Sequence, residues 1–120
     1  MRFFSSVAAV ALLCCALGCH SAFIDATVQN HTPKPINLVE VDYPSASFGT
    51  QTLLPGTDFH YRFKVLGNGA TKVLWTDDAH TERTAPGPEL HESDEGTLTI
   101  TFDASGPTWQ KALTNHGQPR

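Results

Sequence analysis

Histidine is the residue type here best suited to chemistry, with six copies at His20, His31, His60, His80, His91 and His116. Neutral imidazole is the commonest metal ligand, and the carboxylates of Asp77, Asp78, Glu89 and Glu92 would help complete a coordination shell. A set made of His60, His80 and His91 is the metal site that the spacing leaves open. Against it, no two histidines stand at the i, i+4 spacing of a helical zinc motif, and no cysteine follows Cys19. His91-Glu92 is a fragment of such a motif without its second histidine. A copper electron-transfer site lacks its thiolate, and the only methionine is Met1. Nucleophilic catalysis has no better footing, because no G-x-S-x-G surrounds Ser45, Ser47, Ser93 or Ser105. The acidic groups at Asp77/Asp78 and Glu92/Asp94/Glu95 coincide with turn signals, where Asp accepts local backbone N–H bonds. Gly67-Asn68-Gly69 lacks the lysine and helix of a phosphate loop. The sequence therefore assigns no catalytic residue and no cofactor, and a non-enzymatic protein is expected.

Three further patterns have plain explanations. Thr97, Thr99 and Thr101 form one threonine row, as β-propensity on a solvated face would give. Asn30-His31-Thr32 matches a glycosylation acceptor by chance. Arg62, Lys64 and Lys72 read as surface charges that aid solubility. Across 120 residues there are 8 Lys+Arg against 12 Asp+Glu, a net charge of −4. That balance, with the basic residues scattered, excludes nucleic acid as the expected partner. A hydrophobic fraction of 40% is that of a folded chain rather than a disordered one.

The elements that must position these residues follow a period of two rather than 3.6. Over residues 57–66, Phe59, Tyr61, Phe63 and Val65 alternate with Asp58, His60, Arg62 and Lys64. Over 96–103, Leu98, Ile100 and Phe102 alternate with Thr97, Thr99 and Thr101. Each run has one wet and one buried side. Ile24, Ala26 and Val28 share a phase. Val39, Val41 and Tyr43 share another, opposite to Ile36 and Leu38, which implies a bulge near Leu38 or burial on both faces. Val73 and Trp75 mark a further strand, Phe48 and Leu54 a short one, and residues 81–85 a polar edge strand. Pro55-Gly56 suits a type II turn, and residues 67–69 supply the positive φ of a hairpin. Residues 86–94 read as a loop anchored by Leu90. The expected fold is all-β: a small antiparallel two-sheet sandwich, immunoglobulin-like or transthyretin-like, of six or seven strands, with a small closed barrel as the alternative. The domain spans 23–103, and 104–120 is expected to be a mobile tail with a helical turn around Trp109 and Leu113.

The first residues are an address. Arg2, an apolar run from Val7 to Leu17, and the small Gly18 have the layout of a secretory signal over residues 1–18, too short to span a bilayer. Ala16-Leu17-Gly18-Cys19 resembles the lipobox of bacterial lipoproteins, although Ala16 stands where that family favours Leu. The resemblance implies cleavage after Gly18, acylation of Cys19, residues 19–22 as a tether, and a membrane partner reached through acyl chains. Each buried methylene contributes about 0.8 kcal/mol, so two or three chains hold firmly where one does not. His20, in place of the Asp of inner-membrane retention, points to the outer membrane facing the periplasm. Ala16-x-Gly18 or His20-x-Ala22 would serve an ordinary signal peptidase, which leaves a secreted or soluble periplasmic chain. Retention of the segment as an uncleaved anchor is the third outcome.

The function expected is a lipid-anchored, extracytoplasmic binding or structural module of the cell envelope, with an envelope protein as partner. Its contacts would come from loops at 30–35 and 86–94, then the turn at 77–80, or from addition of a partner strand to a sheet edge. The alternative is a periplasmic small-ligand or metal-binding protein using His60, His80 and His91.

Overall fold

The computed structural model describes residues 21–115, so the expected signal, lipobox and tail end, with Cys19, His20 and His116, lie outside the described residues. Eight strands, rather than the six or seven expected, follow one another: β1 (Ile24–Asn30), β2 (Ile36–Tyr43), β3 (Ala46–Leu53), β4 (Asp58–Phe63), β5 (Gly69–Thr76), β6 (Glu82–Leu90), β7 (Asp94–Asp103) and β8 (Gly106–Asn115). They form two four-stranded sheets, ordered β4-β1-β7-β8 and β3-β2-β5-β6. The sheets pack as a sandwich and are not joined into a closed barrel, which removes the barrel alternative.

Alternation creates the core. Ile24, Ala26 and Val28 on β1 and Leu98, Ile100 and Phe102 on β7 are buried, and so are Val39, Val41, Phe48, Leu53, Val73 and Leu90 from the other sheet. Side chains from two inner faces interdigitate across a spacing of about 10 Å, which removes both sets from water at once. The polar residues between them face outward, Thr97 included. The expected irregularity in β2 is present: Leu38 takes φ 50° and is 61% exposed, and the pairing with β5 shifts register between Asn37 and Glu40. One extra residue on β2 swings Leu38 off the inner face. The turn at Pro55-Gly56 also forms, with Gly56 at φ 73° and Thr57 N–H donating to Leu54 O at 3.2 Å. A positive φ at that third turn position is what a type II turn requires.

Five expectations are corrected. Residues 106–115 are not a tail or a helical turn but β8, paired with β7 from Asp94 opposite Asn115 to Asp103 opposite Gly106. Its alternation escapes notice because Lys111 sits in the inward phase between Trp109 and Leu113. Residues 86–90 belong to β6 rather than a loop, with Leu90 fully buried as its anchor. The sheets are not wholly antiparallel: β1 runs parallel to β7, Ile24 opposite Gly96 and Asn30 opposite Phe102. Short connections favour antiparallel neighbours, but here the whole chain from β2 to β6 serves as the crossover that a parallel pair needs. Tyr61 is 42% exposed and Phe59 only half-buried, because β4 is an edge strand covered on one side alone. Leu53, not Leu54, turns inward at the end of β3.

Candidate functional site

Strand directions divide the molecule into two ends. One gathers the β1–β2 loop (31–35), the β3–β4 turn (54–57), the β5–β6 turn (77–81) and the β7–β8 turn (104–105). The other gathers 64–68, 91–93 and both ends of the described chain. The loop candidates are thus split, with 30–35 and 77–80 at one end and 91–94 at the opposite one.

At the first end lies an open cleft of roughly 580 Å³, lined by Thr32, Lys34, Asp77, Arg83, Asp103 and Ser105 among others. Trp75 and Phe102 also line it, ring centroids 5.2 Å apart in an edge-to-face arrangement. Phe102 is inward on β7 and nearly fully buried, so the apolar part of the cleft is the exposed end of the core itself. Asn30 fixes the loop beside it. Its buried amide donates to Lys34 O at 2.8 Å and Leu53 O at 2.9 Å, and accepts from Thr32 N–H at 2.9 Å and Thr32 Oγ1 at 2.6 Å. Both donors and both lone pairs of the amide are therefore satisfied. An amide so held presents no free nitrogen, so the Asn30-His31-Thr32 match does not make a glycosylation acceptor of the folded chain.

The charged rim is paired. Lys34 Nζ lies 2.7 Å from Asp78 Oδ2, and Arg83 Nε lies 2.6 Å from Asp77 Oδ2. The Lys34 ammonium holds the Asp78 carboxyl below the usual carboxylate range, and Asp78 in turn raises the lysine. The Arg83 guanidinium lowers Asp77 first, with help from the backbone N–H groups of Thr81 and Ala79. Asp103 is lowered by the Ser105 hydroxyl, which donates to it at 2.6 Å, and by the Ser105 backbone N–H at 2.9 Å. Carboxylates held ionised in this way are poorly matched to proton transfer near neutral pH, which works best at a pKa near the operating pH. They are suited to holding a polar ligand through fixed donors and acceptors.

The histidines do not converge. His60 lies on β4 opposite Thr27, whose Oγ1 is 3.1 Å from its Nδ1. His80 sits in the 77–81 turn at φ 62°, donating its N–H to Asp77 O at 3.0 Å. His91 follows β6 at the opposite end, its N–H donating to Asp94 Oδ2 at 2.8 Å. A nine-residue strand separates His80 from His91, or about 30 Å of extended chain. The metal set is corrected on that ground, and among the described residues no three His, Cys, Asp or Glu side chains gather as a metal-holding group.

A second depression of about 450 Å³ lies over sheet β3-β2-β5-β6, around Leu38, Glu40, Leu74, Thr76, Glu82 and Thr84. Glu40 is raised there by sharing a hydrogen bond with Asp42. The turn at Asp103–Gly106 is not among the sequence candidates because residues 104–120 carry no clear strand alternation. The Asp-x-Ser-Gly sequence, with its local side-chain bond, was the available signal. Comparison with family models, curated proteins and solved structures returns no match.

Proposed function

We propose that this chain is a non-enzymatic, lipid-anchored module of the bacterial envelope, tethered through Cys19 to the outer membrane on its periplasmic side. On this reading it binds a polar group of an envelope component in the cleft between the 31–35, 77–81 and 104–105 turns. The observation that carries the reading is the opposition of cleft and termini. The chain enters at Phe23, whose carbonyl accepts Gly96 N–H at 3.1 Å and whose ring lies 4.4 Å beneath the Arg62 guanidinium. β1 then runs from that entry toward the cleft end, so a tether at Cys19 would hold the cleft away from the membrane. Within the sandwich class we infer the transthyretin-like arrangement. An immunoglobulin-like sandwich keeps its first and second strands in one sheet, whereas here β1 and β2 lie in different sheets.

A small-ligand protein is the second reading, favoured by a cleft volume inside the usual 300–1,000 Å³ of ligand pockets. Photo-crosslinkers placed at Lys34 and Ser105 in native membranes separate the two. A reproducible protein adduct, absent when the label is at Asn68, supports the envelope-partner reading. Repeated blanks with a small molecule co-purifying support the second. Mass spectrometry of the mature N-terminus is expected to find acylated Cys19, and an unmodified N-terminus removes the anchor.

A further inference from the structure

The sandwich has four edge strands, and three carry the devices that keep foreign strands away. β6 has Glu82, Arg83, Pro86 and Pro88, with a register shift between Ala70 and Lys72 in its pairing. β4 is six residues long and carries Asp58 and Arg62. β8 has Pro107 near its start and Lys111 in the inward phase, opposite buried Leu98. β3 has none of these. Its eight residues, Ala-Ser-Phe-Gly-Thr-Gln-Thr-Leu, hold no charge and no proline, and its register with β2 keeps one count from Ile36–Leu53 to Tyr43–Ala46, interrupted only opposite the Leu38 bulge, where Leu38 and Gln51 do not pair.

We propose that the free edge of β3 is a strand-addition site for an extended segment of another protein, one with apolar residues at alternate positions and little charge. An unpaired edge offers a row of backbone donors and acceptors, and an added strand gains affinity from them and specificity from alternate side-chain pockets. The pockets here are apolar. Phe48 of β3 stacks on Tyr61 of β4 at 4.6 Å and 15°, and Phe59 lies 6.4 Å from it. Tyr61 is 42% exposed and Leu54, just after β3, 55% exposed. Side chains of an added strand that face inward would meet these groups, and those facing outward would meet Ser47, Gly49 and Gln51. A charged segment is disfavoured because β3 supplies no countercharge.

A second copy of this chain is a poorer occupant. Two identical edges closed by a two-fold axis run antiparallel, so the copies would send their N-termini in opposite directions. Two chains tethered to one membrane by residues 19–22 cannot both do so. This choice of occupant rests on the anchored reading; the strand addition itself does not.

The probe is a capped peptide of four Thr-Val repeats flanked by serines, added to the ¹⁵N-labelled full chain in detergent micelles. Slowed amide exchange confined to β3 and its partner β2 is expected, with no effect from the fully N-methylated peptide. Ser47→Lys with Gln51→Lys should weaken capture at least tenfold at unchanged Tm, and Tyr61→Ala severalfold. Protection mapping instead to β4, β6, β8 or the cleft overturns the proposal, as does equal capture of the N-methylated peptide. A peptide-free dimer by light scattering with the same amides protected assigns the edge to a second copy and overturns it too. An unacylated Cys19 alongside β3 protection defeats the anchor and leaves the edge site standing.

Discussion

The two flanks of the sandwich are built differently. On the β6/β8 flank the sheets are bolted together. Trp109 of β8 reaches over Gly87 of β6 so closely that a Cβ at Gly87 would lie 2.5 Å from the indole and 2.4 Å from Thr71 Oγ1. Beneath it, the buried Thr71 hydroxyl donates to Pro88 O at 2.6 Å. On the β3/β4 flank an aromatic group of Phe48, Phe59, Tyr61 and Phe63 fills the seam without closing it. Two sheets of similar length can thus present one flank sealed by a backbone-to-ring contact and one left open with apolar side chains at its mouth. The sealed flank is sensitive to volume, and the open one to polarity and charge.

The largest break should come from Gly87→Val, which forces the indole and Thr71 apart. A loss of roughly 3 kcal/mol is expected from overpacking against the indole ring and the Thr71 hydroxyl, measured by urea denaturation. Trp109→Ala leaves a half-buried ring's space empty and should cost roughly 2–3 kcal/mol. Combining Trp109→Ala with Gly87→Ala should cost less than the sum of the two single changes, because the smaller side chain removes the clash. Thr71→Val strips one buried donor and should cost about 1 kcal/mol. Tyr61→Ala on the open flank should cost under about 1 kcal/mol, since the ring is already partly solvated. Equal costs for Trp109→Ala and Tyr61→Ala would erase the contrast.

Acid sharpens it further. Asp77 and Asp78 have folded pKa values below those of the unfolded chain, so the stability they contribute is fully present above the ordinary carboxylate pKa. It is lost as the pH falls through the lowered folded values. In a Trp109→Phe background, Trp75 emission should therefore change with acid as the start of β6 loosens from Asp77. No change down to global unfolding would detach those ion pairs from the flank.

How much of this was legible in the residues differs by element. The alternation in β1 and β7 was plain because both faces are uniform, and the Leu38 bulge showed as a clash of phases in one short run. β8 and the far half of β6 were not legible. Lys111 interrupts the apolar phase of β8, while Pro86, Gly87 and Pro88 imitate a loop on a strand whose exposed edge tolerates them. Two of the three candidate binding loops, 30–35 and 77–80, meet at the cleft. The third lies at the opposite end, because the length of β6 decides which end its far terminus reaches. The open β3 edge had no sequence signal of its own, since an absence of charge means something only once the strand is known to lie at an edge. The histidines drew attention by number, and their separation was set by pairings between strands far apart in the chain.

The parallel pairing of β1 with β7 also orders events in time. β1 is an inner strand of its sheet, yet one of its neighbours begins at Asp94, some seventy residues later. Loop-closure entropy must be met before so distant a pairing yields any stabilisation, which makes folding slow for the size of the chain. A nascent chain halted before β7 can assemble the β3-β2-β5-β6 sheet but leaves β1 with only β4 beside it. The sandwich therefore cannot be completed until β7 and β8 are available to close the β4-β1-β7-β8 sheet.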